Sequence, residues 1–228
     1  FHHHLRHRRA GDSDGYYRDF DGAVSHIAKT IADGWFFTGQ YVKHGERHRG
    51  TSPEGLSHES RLFCIQNHDQ IGNRAFGERL STQIPRAAYY AASALLLLAP
   101  EIPLLFMGQE WAAPEPFLYF TNHNEELGCL ITEGRRKEFE HFSAFTDEAQ
   151  RERIPDPQDK ETFLRSKLDW SLRNASEHSE CLLWYRKLLR LRKNILQKAQ
   201  FHSSRALNEN IIVVEWKSAK GGLSAVIA

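Results

Sequence analysis

The apolar positions near the start of the chain follow a helical repeat. Asp21 precedes this repeat as a cap and Gly34 follows it as a stop, so the pattern predicts an amphipathic helix between them. The next segment, His44–Ser60, is rich in Gly, His, Arg and Glu, and predicts a long surface loop of the kind that often carries function. The repeating apolar positions are Val24, Ile27, Ala28, Ile31 and Ala32.

Two short runs of consecutive apolar residues predict strands that are buried on both faces, as in a parallel sheet. The first lies within Arg61–Gln66 and the second is Leu104–Gly108. Between them, Arg86–Ala99 follows Pro85 and is apolar nearly all round, which predicts a deeply packed helix. A membrane span is the competing interpretation, but the apolar stretch is too short and prolines close it.

The second half of the chain has a less regular pattern. Trp111–Arg165 predicts a large loop with short helices, lying over the strand ends, and Glu180–Ile195 predicts an amphipathic helix. Ile211–Lys217 and Leu223–Ala228 predict two strands joined around Lys220-Gly221-Gly222. The positions of the amphipathic helix that we expect to face a core are Leu182, Tyr185, Leu188, Leu189 and Ile195.

Polar residues follow each of the two predicted parallel strands. They are Asn67–Gln70 after the first strand and Gln109–Trp111 after the second. The alternation of helices and strands implies an α/β fold with crossover helices. In such folds the ligand binds beyond the C-terminal ends of the strands. We therefore expect both polar clusters to line one cleft.

The first cluster has side chains that suit sugar recognition. Asp69 can accept two hydrogen bonds from neighbouring sugar hydroxyls and His68 can donate one, so that together they would stabilise positive charge at the anomeric carbon. Glu110 is a second carboxylate expected on the same face. In the alternative interpretation, Asn67 or Asp69 caps a following turn and His68 is a hydrogen-bonded core histidine. The triplet by itself leaves both interpretations open.

A longer string carries more information. FCIQNHDQIGNRAFGERL, at Phe63–Leu80, resembles the fourth signature region of the alpha-amylase family of glycoside hydrolases, and within it the members that release trehalose. The resemblance covers nearly the whole chain. It continues in PLLFMGQEWAAPEPFLYFTNHNEELG (Pro103–Gly128), EGRRKEF (Glu133–Phe139), IPDPQDKETF (Ile154–Phe163), SKLDW (Ser166–Trp170), DGYYRDF (Asp14–Phe20) and FFTGQY (Phe36–Tyr41).

The resemblance implies both a fold and an activity. The fold would be the C-terminal portion of a (β/α)8 TIM barrel over residues 1–198, with strand seven at Arg61–Gln66 and strand eight at Leu104–Met107, followed by the start of an all-β domain over 199–228. The activity would be cleavage of the α-1,4 bond next to the terminal trehalose of maltooligosyl trehalose or a related α-glucan. The nucleophilic aspartate and the general-acid glutamate would lie in the missing N-terminal part of the barrel, so we expect this chain alone to be inactive.

The resemblance also assigns roles to residues. Asp69 would bind sugar hydroxyls and stabilise the transition state, with His68 as its partner. Gln109 stands where the pattern usually has Glu, and Asn122 where it usually has Asp, so both could shift subsite contacts. Arg74 could equally be a salt-bridge partner, and each aromatic residue could equally be loop core. The expected substrate contacts are Asn67, Gln70, Arg74, Glu110, Trp111, Phe117 and Tyr119, with Phe120 as a further stacking surface.

Two other functional classes stay open. One is a non-catalytic carbohydrate-binding remnant. The other is a different member of the alpha-amylase superfamily, such as a glucan branching transferase. Branching enzymes also carry the string FMGQE found at Phe106–Glu110, whereas the residues after Asp69 favour the trehalose-releasing members.

Composition narrows the range of partners. The 228 residues are 40% hydrophobic and 26% charged, which suits a folded globular protein. A net charge of +1 argues against a dedicated nucleic-acid-binding protein, and we expect no membrane partner. Cys64, Cys129 and Cys181 have neither a metal-ligand spacing nor a disulfide framework, which favours a cytoplasmic location.

The first residues also bear on the prediction. His2–Arg9 is rich in His and Arg, but no further ligands are spaced to complete a metal site, so a polar helix or loop face is expected there. We expect no metal and no cofactor. The first residues have no apolar signal segment. Because the chain does not begin with Met, we expect it to be part of a longer protein.

Overall fold

The computed structural model of the protein describes residues 1–42, 46–219 and 221–227. Residues 43–45, which include the start of the predicted loop at 44–60, the predicted turn residue Lys220 and the final residue Ala228 lie outside the described residues. The helices are α1 (His2–Ala10), α2 (Val24–Asp33), α3 (His68–Gly72), α4 (Leu80–Gln83), α5 (Arg86–Leu98), α6 (Glu125–Glu138), α7 (Glu148–Glu152), α8 (Lys160–Arg165) and α9 (Ser176–Asn194). The strands are β1 (Thr38–Val42), β2 (Arg47–Gly50), β3 (Leu62–Phe63), β4 (Ile102–Pro103), β5 (Gln200–Ala206), β6 (Ile212–Ser218) and β7 (Gly221–Ile227).

The strands form small sheets. Strands β1 and β2 are antiparallel, β3 and β4 are parallel, and β5, β6 and β7 form an antiparallel sheet in that order. Across the described ranges these strands do not close into a barrel. The parallel pair is joined through α5, so it is a β–helix–β unit of the kind that the sequence predicted.

The parallel pair is shorter than predicted, and its second strand begins earlier. The amide of Ile102 donates to the carbonyl of Arg61 at 2.9 Å and that of Leu104 to Phe63 at 2.7 Å, so the ladder ends at Leu104 instead of continuing to Gly108. Pro103 lies between the donating amides of Ile102 and Leu104. At this position the backbone nitrogen of a parallel strand points away from the partner strand, so proline, which has no N–H, is tolerated. Burial on both faces was also wrong, because the side chain of Leu62 is 66% exposed.

The main hydrophobic core lies between α1, α2, α5, α9 and the three-stranded sheet. Helix α5 is buried from Ala92 to Leu98, as its nearly continuous apolar sequence predicted. The sheet contributes Ile212, Val214 and Trp216 to the same core. Strand β5 begins at Gln200, one residue beyond the predicted domain boundary, and the sheet packs directly against the helices before it, so a separate β domain over 199–228 stays a prediction.

Several helix predictions are confirmed, with different details. Helix α2 ends at Gly34 as predicted, but its N-cap is Ala23, whose amide donates to Oδ1 of Asp21 at 2.9 Å. Helix α9 starts earlier than predicted, and its buried face excludes Leu189 and Ile195, which are 39% and 40% exposed. The predicted loop at 44–60 contains β2, and β5 was not predicted, because its polar sequence lacks an apolar alternation.

The described residues include no helix with both the length and the apolar content needed to cross a bilayer.

Arg192 of α9 holds the C-terminal end of α5. Its guanidinium donates to the carbonyls of Leu97 at 3.1 Å, Ala99 at 2.5 Å and Glu101 at 2.7 Å. Carbonyls at and beyond a helix end lack intrahelical donors, so Arg192 supplies them. We expect Arg192→Met to lower the free energy of unfolding by about 1.5–3 kcal/mol in urea titrations. Arg190→Met, an exposed change on the same helix, should cost less than about 0.5 kcal/mol, and equal costs would contradict the capping role.

Candidate functional site

The first polar cluster begins where the chain leaves β3. Asn67 is the N-cap of α3, and its Oδ1 accepts a hydrogen bond from the amide of Gln70 at 2.9 Å. Gln66 is buried, and its Oε1 accepts from the amide of Leu80 at 3.0 Å. The side chains of Gln66 and Asn67 therefore shape the turn from β3 into α3, and Asn67 has the capping role that the alternative interpretation gave it.

His68 and Asp69 occupy the first turn of α3 and are open to solvent. Their side chains are 67% and 72% exposed, and Nε2 of His68 lies 3.3 Å from Oδ1 of Asp69. The cap is Asn67 and His68 is not buried, so the capping and core alternatives do not describe this pair. A carboxylate acceptor and a ring donor are thus presented side by side at the C-terminal end of β3, which suits binding of a polyhydroxylated ligand.

Gln70 lies on the other side of α3. Its Oε1 is 3.6 Å from Sγ of Cys64, a weak contact, and both residues line a cavity of about 470 Å³ beside β3. Phe63 and His3 line the same cavity. Gln70 is therefore partly accessible, as a substrate contact requires, but on a different side of the helix turn from its solvent-facing neighbours.

The second polar cluster is mostly buried. Gly108 adopts a left-handed conformation with φ of 80°, and a Cβ there would lie 2.7 Å from Cβ of Ala113, so glycine is required for this turn. Gln109 is fully buried, its Nε2 donates to the hydroxyl of Tyr185 at 3.0 Å, and its carbonyl accepts from the hydroxyl of Tyr89 at 2.7 Å. The departure at Gln109 therefore lies in the core between α5 and α9, and the expectation that it shifts a subsite contact was wrong.

Trp111 does not present a face to a sugar. Its side chain is 2% exposed, its ring centroid is 5.0 Å from that of Trp170, and its carbonyl accepts from Nδ1 of His178 at 2.8 Å. The expectation that Trp111 contacts substrate is thus corrected, because its ring is part of the loop core. Glu110, between the two buried residues, is partly exposed and keeps its place as a predicted contact.

The two clusters lie at the same edge of the parallel pair. Strands β3 and β4 run side by side in the same direction, so their C-terminal ends coincide. Buried Arg79 braces the second strand end by donating to the carbonyls of Met107 at 2.8 Å and Glu115 at 2.5 Å. The shared edge agrees with the strand directions, and a single cleft that contains Asp69 and Glu110 stays a prediction.

Arg74 is engaged in ion pairs. Its NH1 lies 3.1 Å from Oδ2 of Asp12 and its Nε lies 3.1 Å from Oε2 of Glu78. These two carboxylates raise the pKa of Arg74 despite the opposing effect of burial. The side chain is 20% exposed and borders a cavity of about 310 Å³. The structure thus favours the salt-bridge alternative for Arg74, and any ligand contact would have to share its guanidinium with Asp12 and Glu78.

The segment after Trp111 packs against the loop that follows Asp69. The amide of Phe117 donates to the carbonyl of Gly77 at 2.9 Å. Gly77 has a φ of 60°, and a Cβ there would lie 2.5 Å from the carbonyl oxygen of Phe117, so glycine permits this close approach. The ring of Phe117 is half-buried against Phe106 and Phe120, whereas Tyr119 is 40% exposed. Of these predicted aromatic contacts, Tyr119 offers the most open ring.

Arg135 was not singled out from the sequence, although it lies within the quoted EGRRKEF string. It is buried, and its NH2 donates to the carbonyls of Gly72 and Arg74, each at 2.8 Å. Its guanidinium also lies 5.1 Å from the ring centroid of Tyr119, and burial lowers the pKa of Arg135. Through Arg135, helix α6 therefore contacts both the loop after Asp69 and the exposed ring of Tyr119. This helix is longer than the short helices predicted for the segment.

Replacing Arg135 tests whether its hydrogen bonds hold the loop after Asp69 in place. We expect Arg135→Met to leave the carbonyl of Gly72 without its side-chain donor, whereas the carbonyl of Arg74 keeps the amide of Gly77 at 3.3 Å, and to lower the free energy of unfolding by about 1–3 kcal/mol. Amide hydrogen exchange over residues 67–77 should accelerate in the same variant. Lys137→Met, at an exposed position of the same helix, is the matched control. Unchanged exchange over 67–77 in Arg135→Met would show that α6 does not hold this loop.

Comparisons with known proteins show that the chain is similar to malto-oligosyltrehalose trehalohydrolases. It is 48% identical over 197 residues to the malto-oligosyltrehalose trehalohydrolase of Deinococcus radiodurans, covering 85% of this chain and 32% of that protein. It is 44% identical over 204 residues to the protein of the same name from Rhizobium sp. (strain M-11), covering 88% and 33%. The chain therefore spans about a third of the length of these curated relatives, and the resemblance inferred from the sequence strings is confirmed.

The fold is also found in a solved structure. A crystal structure described as an alpha amylase from Salmonella typhimurium matches 99% of this chain and 39% of its own chain, with a TM-score of 0.85 and 34% sequence identity. The likeness supports the α/β part of the fold prediction, since the small parallel unit and its helices superpose on an alpha-amylase structure. No protein-family model matches the chain.

Proposed function

Because the chain is homologous over about 85% of its length to the malto-oligosyltrehalose trehalohydrolases, we propose that it forms part of the substrate cleft of such a glycoside hydrolase. The complete enzyme would cleave the α-1,4 bond next to the terminal trehalose of maltooligosyl trehalose and release trehalose. The observation that carries this proposal is the exposed pair of His68 and Asp69 at the C-terminal end of a parallel strand, within the aligned region.

We propose that β3 and β4 are strands seven and eight of a (β/α)8 barrel. Residues 1–198 would then form the last part of the barrel, and 199–228 would begin a β domain. One support is the open side of the parallel pair and of the residues that follow β4, where Leu62, Ile102, Leu104 and Met107 are between 41% and 66% exposed. Apolar strand residues normally pack against neighbouring strands, so this side suits contact with the remainder of the barrel.

The proposed roles follow from the polar side-chain atoms that each residue can offer to a sugar. Asp69 would accept hydrogen bonds from two adjacent sugar hydroxyls and would stabilise the positive charge that develops at the anomeric carbon. His68 would donate to a hydroxyl of the same ring. Glu110, Gln70 and Tyr119 are the remaining predicted contacts with partly exposed side chains. Neither leaving-group protonation nor attack on the anomeric carbon is assigned to this chain.

We also propose a cytoplasmic location and no nucleic-acid partner. The support is chemical, because Cys64, Cys129 and Cys181 are all free thiols, which a reducing compartment maintains. The net charge of +1 gives no general attraction to a polyanion.

Product analysis of the complete enzyme tests the proposed function. Incubation with maltooligosyl trehalose should yield free trehalose and a linear glucan, which chromatography separates. A branching transferase would instead leave the number of reducing ends constant and create branched chains. A linear maltooligosaccharide of equal length is the control substrate, and it should yield no trehalose. Branched product without trehalose would contradict the proposal.

A further inference from the structure

Three metal-ligating side chains meet outside the candidate site, where α1 passes the start of α2. His4 is on α1, Asp21 lies in the segment that precedes α2, and His26 is in the first turn of α2. Their ligand atoms all lie within 4.8 Å of one another. Oδ1 of Asp21 is 2.7 Å from Nδ1 of His26 and 3.9 Å from Nδ1 of His4. Two imidazoles and a carboxylate thus converge on one point.

His4 provides an independent indication that something binds there. Its side chain is completely buried, and neither of its ring nitrogens has a hydrogen-bond partner. Buried polar atoms are nearly always paired, because an unpaired one loses its contact with water without compensation. The rings of Phe20 and Phe36 pack edge to face against His4, so they offer no polar partner. A cation between His4 and Asp21 would supply a partner for one of these two nitrogens.

The surroundings of Asp21 also suit a metal ligand. Nδ1 of His26 lies 2.7 Å from Oδ1 of Asp21, so two of the three ligand atoms already face each other. Asp21 is held in place by the amide of Ala23, which donates to its Oδ1 at 2.9 Å. Such a supporting hydrogen bond orients a carboxylate ligand.

We propose that His4, Asp21 and His26 bind a divalent transition-metal ion of the zinc type, with water as the fourth ligand. Two imidazoles and one carboxylate are a ligand set that Zn²⁺ accepts, whereas Mg²⁺ and Ca²⁺ prefer oxygen ligands throughout. Tetrahedral bonds of about 2.0–2.1 Å separate ligand atoms by about 3.3 Å, so the present distances of 3.9 Å and 2.7 Å would each change by about 0.6 Å.

The site also has an entry path. The side chains of Asp21 and His26 are 59% and 36% exposed, so an ion and its water can reach them from solvent while His4 binds from the interior. The ion would fasten α1 to α2. Only His4 belongs to the His-rich stretch at the start of the chain. Asp21 and His26 come from a later segment, so the spacing of residues within that stretch did not indicate the site.

Zinc titration of the purified protein, freed of metal and of any histidine tag, tests the proposal. Calorimetry and competition with a chromogenic chelator should show one tight site per molecule. His26→Gln and Asp21→Asn each remove one ligand at a partly exposed position, and each should weaken binding at least about tenfold. Substitution with Co²⁺ should give the intense visible absorption of a four-coordinate ion, and His26→Gln should lose it.

The matched control is His141→Gln. His141 is 85% exposed and lies 3.7 Å from Glu140, so it is a histidine–carboxylate pair without a third ligand. This variant should bind Zn²⁺ as tightly as the unchanged protein, and circular dichroism should confirm that every variant is folded. Absence of a tight site, equal affinity in both ligand variants and the unchanged protein, or an equal loss in His141→Gln would overturn the proposal.

Discussion

The 228-residue chain on its own should release no trehalose from maltooligosyl trehalose, whereas the complete enzyme proposed above should release it. Hydrolysis of a glycosidic bond needs one carboxyl group to protonate the leaving oxygen and another to attack the anomeric carbon or activate water. By the family resemblance, Asp69 is expected to perform neither step. We therefore expect both reacting carboxyl groups to be supplied from outside this chain.

The placement of Glu101 supports this expectation. A general acid needs a raised pKa and hydrogen-bond reach to the leaving oxygen. Burial raises the pKa of Glu101, but its side chain is fully buried and its Oε1 lies 2.8 Å from Nδ1 of His58. It also precedes β4, so it lies at the opposite end of that strand from Glu110. A carboxyl group with a raised pKa is thus buried at the wrong end of the strand.

The measurement is trehalose release by the isolated chain and by the complete enzyme at equal molar concentration. Because the isolated chain exposes apolar strand residues such as Leu62 and Ile102, size-exclusion chromatography must first show that it is folded and not aggregated. Turnover by the folded chain above the rate of the buffer blank would show that its own carboxyl groups suffice, and would contradict the prediction.

Asp69→Asn in the complete enzyme should lower kcat by roughly 10²-fold or more, with a smaller effect on KM. The physical reason is the timing of the contact. A neutral amide still forms hydrogen bonds with sugar hydroxyls, so ground-state binding largely survives. It cannot offset the positive charge that develops at the anomeric carbon, so the loss falls mainly on the transition state.

Steady-state kinetics with maltooligosyl trehalose give kcat and KM separately for this comparison. Asp147→Asn is a suitable control, because Asp147 caps α7 and Asn is an equally good N-cap, so neither charge at the sugar ring nor helix stability should change. Its kcat should stay within about twofold of that of the unchanged enzyme. A near-normal kcat in Asp69→Asn would remove this carboxylate from the mechanism.

Local patterns predicted the elements whose own sequence dictates their environment. The apolar run of α5 predicted a helix buried along most of its length, and the repeat before Gly34 predicted α2 and its end. Strand β5 was not predicted, because Gln200–Ala206 has few apolar residues, and it forms a strand by pairing with β6. Strand pairing depends on a partner in the sheet, which a single segment does not reveal.

Whether an individual side chain at the strand ends is exposed, buried or ion-paired depended on contacts with residues far away in the sequence. Arg74 forms an ion pair with Asp12, 62 residues earlier in the chain, and this contact decides that its guanidinium is engaged. Trp111 is buried because Trp170 and α9 close over it, although its position after an apolar run suggested a sugar-stacking surface. Neither contact has a periodic signature, so the alternatives for both residues were equal at the level of sequence.

The sequence by itself determined the helices with continuous apolar faces, the polar character of both strand ends and the relationship to trehalose-releasing glycoside hydrolases. Only the tertiary structure decided that Asp69 is open while Gln109 is enclosed by Tyr89 and Tyr185, and that His4 meets Asp21 and His26. The physical reason is that periodicity records which face of an element avoids water. Which charged or polar groups meet across that boundary is set by packing between elements far apart in the chain.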